Sequence, residues 1–411
     1  MRYRYRVEPS PVQQQMLARV FGSCRVVFND ALRVREEAYR NGLKLSNSSI
    51  QRRVITVAKT TAERAWLVEV PSVALVQSVN DSHRVWRNFF DSHTGKRRRR
   101  VGRPRMKSKK DHRQSFRLTR NGFTVRPNGR LFLAKVGEVR IRWSRDLPSD
   151  PSSVTIIREP DGHFYASFVV DVEPTPLRAL ETEAGVDLGI TRLATIAAND
   201  GARTDVANPK YLTRKLRKLR RLEREKCRRQ KGSNNRNKTR QKVAMAHDEV
   251  ARSRLDYQHK QALALIRKNQ VIYVEDLNIA GMVRNRQLAR SISDAGWGQF
   301  VRIIGEKADR YGRTVHQVSR WLASSKTCSA CGHKLDELPL HIRQWTCPAC
   351  WVVHDRDHNA ARVILAAGRA ERLNASHKSG RDGECGSGGV LVRSQPVAAV
   401  DNEAGSNPSA A

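Results

Sequence analysis

Two Cys-x-x-Cys pairs restrict this chain more than any other feature. Cys328-Ser329-Ala330-Cys331 and Cys347-Pro348-Ala349-Cys350 stand fifteen residues apart, the spacing of a zinc ribbon. In such a ribbon each tight knuckle supplies two thiolates, and one tetrahedral ion joins the knuckles. Four protein sulfurs leave no open position, so zinc at Cys328, Cys331, Cys347 and Cys350 is expected to hold structure and perform no chemistry. Four ordinary buried cysteines, or a disulfide pair, are the alternatives. Gly332 follows the first knuckle, but Trp351 follows the second, where glycine relieves the turn more easily. Directly after the ribbon comes His354-Asp355-Arg356-Asp357-His358-Asn359-Ala360-Ala361. A helix is expected to start there and to end near Gly368. An acid at a helix start is often only a cap or a first-turn charge, so Asp357 takes its meaning from the rest of the chain.

The partner is legible in the charge. Lysine and arginine number 77 against 40 acids, a formal net charge of +37 over 411 residues. Such an excess predicts a polyanion, because neutralising phosphates releases their counterions. Membrane binding is the other outlet for positive charge, but no apolar run approaches a spanning helix and no signal-peptide pattern is seen. The expectation is a soluble protein of the cytoplasm, with nucleic acid as partner and no membrane. Seven cysteines, four of them committed to metal, fit a reducing compartment. Cys24, Cys227 and Cys385 carry no pattern and read as structural or incidental. Lys96 to Lys110, too basic to fold alone, reads as a phosphate-contacting loop, with a solvated linker as the bland alternative.

Arg2 to Val7 alternates like a strand, and Ser10-Pro11 is a cap with a first-turn proline. Helices are expected from there, from about Ser23 to Arg40, from about Ser49, and from Ser72. Between Ser115 and Val172 short strands follow one another, with Pro160-Asp161-Gly162 as a hairpin turn, and a small antiparallel barrel is expected to which the first strand returns. Ala184 to Ile190 is then an apolar strand interrupted by Asp187. An acid there costs several kcal/mol unless it is paired or binds metal. A structural salt bridge is possible, but the flanking Gly185 and Gly189 favour close approach by a ligand or ion. Leu193 to Ala197 continues as a strand, and Tyr211 to about Lys268 forms a helical hairpin broken at Gly232-Ser233-Asn234-Asn235. Its first arm is overwhelmingly basic, which favours a nucleic-acid-facing surface. Val271 to Leu277 is a second apolar strand ending in Glu275 and Asp276. Asp294 is expected to open a helix that stops at Gly312, with a strand at Thr314 to Val318 after it. Beyond Gly368 the composition is that of a disordered tail.

Asp187 in a strand, Glu275 at a strand end and Asp357 at a helix start are the hard oxygen donors that two-metal phosphodiester chemistry draws from rigid elements. Magnesium suits them, and manganese could substitute. Asp276 and Asp355 are neighbours left outside the set.

These residues carry a resemblance. Gly185-Val186-Asp187-Leu188-Gly189-Ile190, Val274-Glu275-Asp276-Leu277-Asn278-Ile279 and Asp355-Arg356-Asp357-His358-Asn359-Ala360-Ala361 resemble, in order, the three RuvC motifs of TnpB. TnpB is the OrfB-type transposon protein related to type V CRISPR effectors. Ser291 to Trp297, Ser324 to Cys328 and Gly102 to Arg105 add to the likeness, which spans about residues 1 to 365; Trp351 and Glu306 depart from the usual pattern. The resemblance implies an α+β multidomain chain: an RNase H-like (RuvC) nuclease domain with a helical-hairpin insertion and a zinc ribbon, and an antiparallel (wedge) barrel interrupted by a helical recognition domain. Its boundaries would be 1–10 for the first barrel strand, 11–95 for the recognition domain and 96–176 for the basic loop and barrel. The nuclease domain would take 177–322, with its hairpin at 208–268, the ribbon 323–353, the last RuvC motif and helix 354–370, and the disordered tail 371–411. The resemblance further implies a guide RNA from the transposon end, a double-stranded DNA target beside a short transposon-adjacent motif, and at most an indirect link to the companion transposase. Carried over by position, Asp187, Glu275 and Asp357 match the catalytic, magnesium-binding acids, and the four ribbon cysteines match the zinc ligands. A catalytically silent RNA-guided regulator, or a transposition accessory protein, on the same scaffold is the alternative.

Overall fold

Alternating residues and cap signals produce most of the first half as read. The computed structural model describes residues 1–97 and 99–379. Strand β1 (Arg2–Glu8) buries Tyr3, Tyr5 and Val7 in turn. Ser10 then caps helix α1 (Pro11–Arg40): its hydroxyl accepts from Gln13 N, and the Gln13 side chain accepts from Ser10 N. The two helices expected here are one. Gly22 costs about 1 kcal/mol inside a helix, but the apolar face runs through it without interruption, with Leu17, Val20, Phe21, Cys24, Val27 and Ala31 all buried. The helix expected from Ser49 is short. Helix α2 (Asn47–Gln51) gives way to π and 3-10 turns through Glu69, where the run Val54-Ile55-Thr56-Val57 crowds side-chain rotamers in a regular helix. Helix α3 (Ser72–His93) starts at Ser72, as its sequence predicts.

Strands β2 (Gln114–Thr119), β3 (Phe123–Val125), β4 (Leu131–Leu133), β5 (Gly137–Arg142), β6 (Ser153–Arg158) and β7 (Phe164–Val169) join β1 in a seven-stranded sheet of order β2-β6-β7-β1-β5-β4-β3. Every pairing is antiparallel, and β1 does return, between β7 and β5. The barrel is not closed by backbone pairing, however: β2 and β3 are the sheet's edges. Helices α1 and α3 pack on β2 instead, with Phe21 edge-on to Phe116 at 5.2 Å between centroids. One apolar core therefore serves helices and sheet together, from Leu17 and Leu75 to Phe116 and Phe168. The basic loop is tied to the helices at more than one point: Val101 N donates to Ser92 Oγ at 3.0 Å, and Asn29 exchanges two hydrogen bonds with the backbone of Lys107 at 2.8 and 3.0 Å.

The second sheet holds the acids. Strands β8 (Glu183–Leu188), β9 (Arg192–Ala198), β10 (Arg203–Ala207), β11 (Val271–Glu275) and β12 (Thr314–Val318) have the order β10-β9-β8-β11-β12. The first three are antiparallel neighbours, whereas β11 runs parallel to both β8 and β12. Between β10 and β11 the chain makes the expected helical hairpin, α4 (Tyr211–Arg228) and α5 (Asn234–Lys268), closed by Leu219, Leu222, Val243 and Ala246. Helices α6 (Ile279–Met282), α7 (Ala289–Ala295) and α8 (Trp297–Tyr311) follow β11. One face of the sheet packs on α5 and α8, with Ala262, Leu265, Trp297, Phe300 and Ile304 in the core. The other face carries α9 (Arg356–Ser379), whose Ile364 and Leu365 meet Val271, Tyr273 and Val318. The ribbon, with β13 (Gln344–Thr346) and β14 (Val353–Asp355), lies between β12 and α9 in the chain.

Three expectations need correcting here. Asp294 does not open a helix: it lies in the last turn of α7, and Gly296, with φ of 69°, separates α7 from α8. Its carboxylate instead accepts from Leu212 N at 2.8 Å, Thr213 N at 3.0 Å and Thr213 Oγ1 at 2.9 Å, capping α4 from another part of the chain. Gly368 does not end the last helix, which continues to Ser379, so residues 371–379 of the expected disordered tail are helical. The remainder of that tail, with Cys385, lies outside the described residues. Gly185, finally, is not a place of approach for an ion. A Cβ there would fall 2.1 Å from Ala361 O, and one at Gly368 would fall 2.1 Å from Tyr273 Cδ1. Both glycines let α9 press against the sheet. Gly185→Ala should therefore destabilise the protein by about 3 kcal/mol through overpacking. Gly305→Ala in α8, where a Cβ meets nothing within 4 Å, should leave thermal unfolding unchanged or raise its midpoint.

Candidate metal centre and acidic cluster

The ribbon knuckles are built alike. Gly332 N donates to Cys328 O at 3.0 Å and Trp351 N to Cys347 O at 2.9 Å, while Cys328 N and Cys347 N donate to His333 O and Val352 O. Gly332 has φ of 78° and Trp351 φ of 58°, so the second knuckle imposes the left-handed conformation on a tryptophan at a cost that glycine avoids. All four sulfurs lie within 4.8 Å of one another. Cys328 Sγ is 3.7 Å from Cys350 Sγ, and Cys331 Sγ is 3.6 Å from Cys347 Sγ. Sulfurs bound tetrahedrally to zinc stand about 3.8 Å apart, from a bond length of about 2.3 Å, so the thiolate set fits that ion. His354 Nε2 lies 3.0 Å from Cys328 Sγ, and its ring stacks at a tilt beside Trp345 across the β13–β14 pair. That is the place of an outer-shell hydrogen bond to a ligating sulfur.

The ribbon is fastened to α9 by Asn359, which is almost fully buried. Its Oδ1 accepts from Ser329 N at 2.8 Å, and its Nδ2 donates to Thr327 O at 2.7 Å. One side chain thus fixes the first knuckle against the first turn of the helix that bears Asp357.

The structure brings the three predicted acids to one end of the second sheet. Asp187 is the last residue but one of β8, Glu275 ends the neighbouring parallel strand β11, and Asp357 occupies the first turn of α9, which packs on β8. Burial first, then the negative charges of Glu275 and Asp357, push the Asp187 carboxyl up to about 7 against the pull of Arg356 and Arg343. Among the described residues, nothing donates a hydrogen bond to it. The Glu275 carboxyl is also raised by burial, against which the Ser324 hydroxyl donates to Oε1. Asp357 is turned to two cations, Arg192 Nη1 at 3.4 Å and Arg343 Nη1 at 3.3 Å. Among the described residues, only the cysteines form a group of three or more ligand types close enough to share an ion as they stand.

The two excluded neighbours have structural partners. Asp276 is ion-paired with Arg320. Asp355 Oδ1 accepts from His358 N at 2.9 Å, as a helix cap does, and Oδ2 pairs with Arg203 at 3.3 Å. Burial raises the Asp355 carboxyl, but that hydrogen bond with Arg203 and Arg192 brings it below the usual range.

Comparison with known proteins gives the family. A family profile described as "Probable transposase" matches residues 167–286, a "Cas12f1-like, TNB domain" matches 297–364, and a "Helix-turn-helix domain" matches 1–44. A Streptomyces pristinaespiralis protein, named provisionally as an RNA-guided DNA endonuclease, is 39% identical over 371 residues, 90% of this chain and 89% of its own. InsQ of Escherichia coli (strain K12), named in the same way, is 31% identical over 384 residues, 90% of this chain and 92% of its own. The chain belongs to the TnpB (OrfB-type) family. A Cas12f1–sgRNA–target DNA complex shares the fold, with a TM-score of 0.54 at 15% identity over 86% of this chain and 82% of that one. No helix among the described residues of this TnpB-family chain is long and apolar enough to cross a membrane.

Sequence reasoning missed the residues that surround the acids. Arg192 and Arg343 carry no pattern of their own; only their places at the start of β9 and in the ribbon bring them to Asp357, while Ser324, which reaches Glu275, stood in a quoted motif without a role. Asn359 stood in a quoted motif without a role.

A carboxyl raised in the folded state destabilises that state wherever it ionises. For Asp187 the penalty is absent below the ordinary value of 3.8, grows as pH rises to about 7 and levels off above it. Asp187→Asn removes the penalty. In magnesium-free buffer this variant should melt higher than the parent at pH 8, and by a smaller margin at pH 5, as followed by circular dichroism.

Proposed function

We propose that this TnpB-family chain is an RNA-guided, magnesium-dependent endonuclease that cuts double-stranded DNA beside a short adjacent motif. One observation carries the reading: the carboxylates of Glu275 on β11 and Asp357 on α9 are both close enough to Asp187 on β8 for their charge to raise its carboxyl. Three carboxylates near one sheet end, with no hydrogen bond donated to Asp187 among the described residues, suit divalent ions, and hard oxygen donors favour magnesium or manganese. Bound there, the ions would supply Lewis-acid charge at a phosphodiester and lower the pKa of water. The chain's own residues do the rest. Ser324 orients Glu275, Arg192 and Arg343 hold the Asp357 charge in the ion-free protein, and Asn359 keeps α9 in register with the ribbon.

Zinc at Cys328, Cys331, Cys347 and Cys350 is structural in this proposal, since the four sulfurs fill its coordination. The second sheet, with the hairpin α4–α5 inserted, is the RNase H-like (RuvC) domain, covering 177–322 and completed by 354–370 after the ribbon at 323–353. The first sheet supplies the wedge from 1–10 and 96–176, and helices within 11–95 supply recognition. Names of the relatives support RNA guidance and DNA as target. The positive charge of +37 supports backbone contact with both strands and guide, while pairing by the guide would read sequence. A prokaryotic cytoplasm is the setting that fits these partners.

A test separates this reading from a silent RNA-guided regulator. The purified chain with its co-purifying RNA should cut guide-matched plasmid only with magnesium or manganese present. Asp187→Ala, Glu275→Ala and Asp357→Ala should each reduce cutting by about a thousandfold or more, the scale on which charge stabilisation of a transition state acts, with RNA retention unchanged. Full cutting by Asp187→Ala would refute its role. Absence of cutting by the parent with tight target binding would favour the regulator.

A further inference from the structure

The segment between β12 and the first knuckle, Ser319 to Thr327, is anchored along most of its length. Arg320 is ion-paired with Asp276, the residue after Glu275. Leu322 packs against the small core of Val318, Ile364 and Leu365. Ser324 is buried and donates to Glu275 Oε1. Thr327 O accepts from Asn359. Between these anchors Trp321 is 87% exposed, the most exposed of the large apolar side chains among the described residues. Its backbone is held as well, with Trp321 N donating to Ser319 Oγ at 3.3 Å and Leu322 N to Ser319 O at 3.0 Å.

An indole in water on a fixed segment has no stabilising role in the fold. Tryptophan is on average among the most buried residue types, and Leu322 beside it has found a core. Trp321 is therefore presented. Its setting names the occupant. The residue before it grips Asp276, the residue three after it grips Glu275, and the segment's own charges, Arg320 and Lys326, are both positive. An aromatic face beside cations is how proteins take up single-stranded nucleic acid, one base stacking on the ring while the backbone follows the charge.

We propose that Trp321 stacks on an unpaired base of the strand being cut and so sets which phosphodiester reaches the acids. The proposal rests on the nuclease reading above and adds a substrate contact to it. A base inside a duplex is covered on both faces by its neighbours, so this contact requires a locally unpaired strand. The preference is for single-stranded over double-stranded DNA at the acids, with little dependence on base identity, because every base has a stacking face.

The test uses the full chain with its co-purifying RNA. Single-stranded DNA carrying 5-iododeoxyuridine at successive positions is bound in calcium, irradiated, and the crosslinked peptide is identified by mass spectrometry. Crosslinks should fall on Trp321 at one or two neighbouring positions. In magnesium, Trp321→Ala should raise the half-saturating concentration of single-stranded DNA about tenfold and leave kcat within about twofold, with Trp321→Phe recovering most of the loss. The cut positions should also spread in Trp321→Ala. Crosslinks confined to other residues would overturn the proposal, as would unchanged saturation and cut positions in Trp321→Ala. A shift of oligomeric state in Trp321→Ala with crosslinks elsewhere would assign the indole to a second copy, and equally overturn it. Crosslinking at Trp321 without cutting by the parent would sustain the contact and defeat the nuclease reading; cutting with crosslinks elsewhere would do the reverse.

Discussion

The arrangement of the acids depends on how closely α9 lies on β8. Gly185 meets the backbone of Ala361, and Gly368 meets the ring of Tyr273, each at a distance that no Cβ could share. Ala360 and Ala361 add no bulk between them. Because the helix sits this low, its first turn brings Asp357 into the field of Asp187, and the parallel neighbour β11 brings Glu275 to the same end. The ribbon then fixes the helix at its start through Asn359. The four-cysteine ribbon and the three acids are in this way parts of one mechanical unit: whatever loosens the knuckles acts on the position of Asp357.

The cluster is unfavourable to the folded chain by itself. Burial and like charge raise the Asp187 carboxyl to about 7, and Asp357 pairs with Arg192 and Arg343. A fold that retains such a cost at one sheet end, while other buried acids among the described residues are matched, supports the proposal that function resides there. Glu183 is the contrast. It is buried at the opposite end of β8, but Arg369, Arg372 and the Tyr273 hydroxyl surround it.

Much of this was legible in the chain, for identifiable reasons. Knuckle spacing announces the ribbon because the ligands are local in sequence. Strands with a single acid in an apolar run announce β8 and β11, because such an acid must have a partner. Legibility failed where a long-range contact overrode a local signal. Asp294 has the look of a helix opener, but its carboxylate serves α4, some eighty residues earlier. Gly22 and Gly368 look like stops, yet one lies in a helix whose buried face carries it through and the other is a contact surface for Tyr273. Gly185 suggested room for an ion, whereas the visitor is another piece of backbone. The seven strands suggested a closed barrel; α1 and α3 take the edge that closure would have used.

The central claim is that Asp187, Glu275 and Asp357 hold divalent ions in common. Anomalous scattering from manganese in crystals of the full chain with its RNA measures this directly, independent of any cutting assay. The account predicts manganese peaks within coordination distance of carboxylate oxygens from all three residues, with a separate zinc peak among the four cysteines. Manganese bound elsewhere, or absent from the end of β8 at saturating concentration while the zinc peak is present, would contradict it.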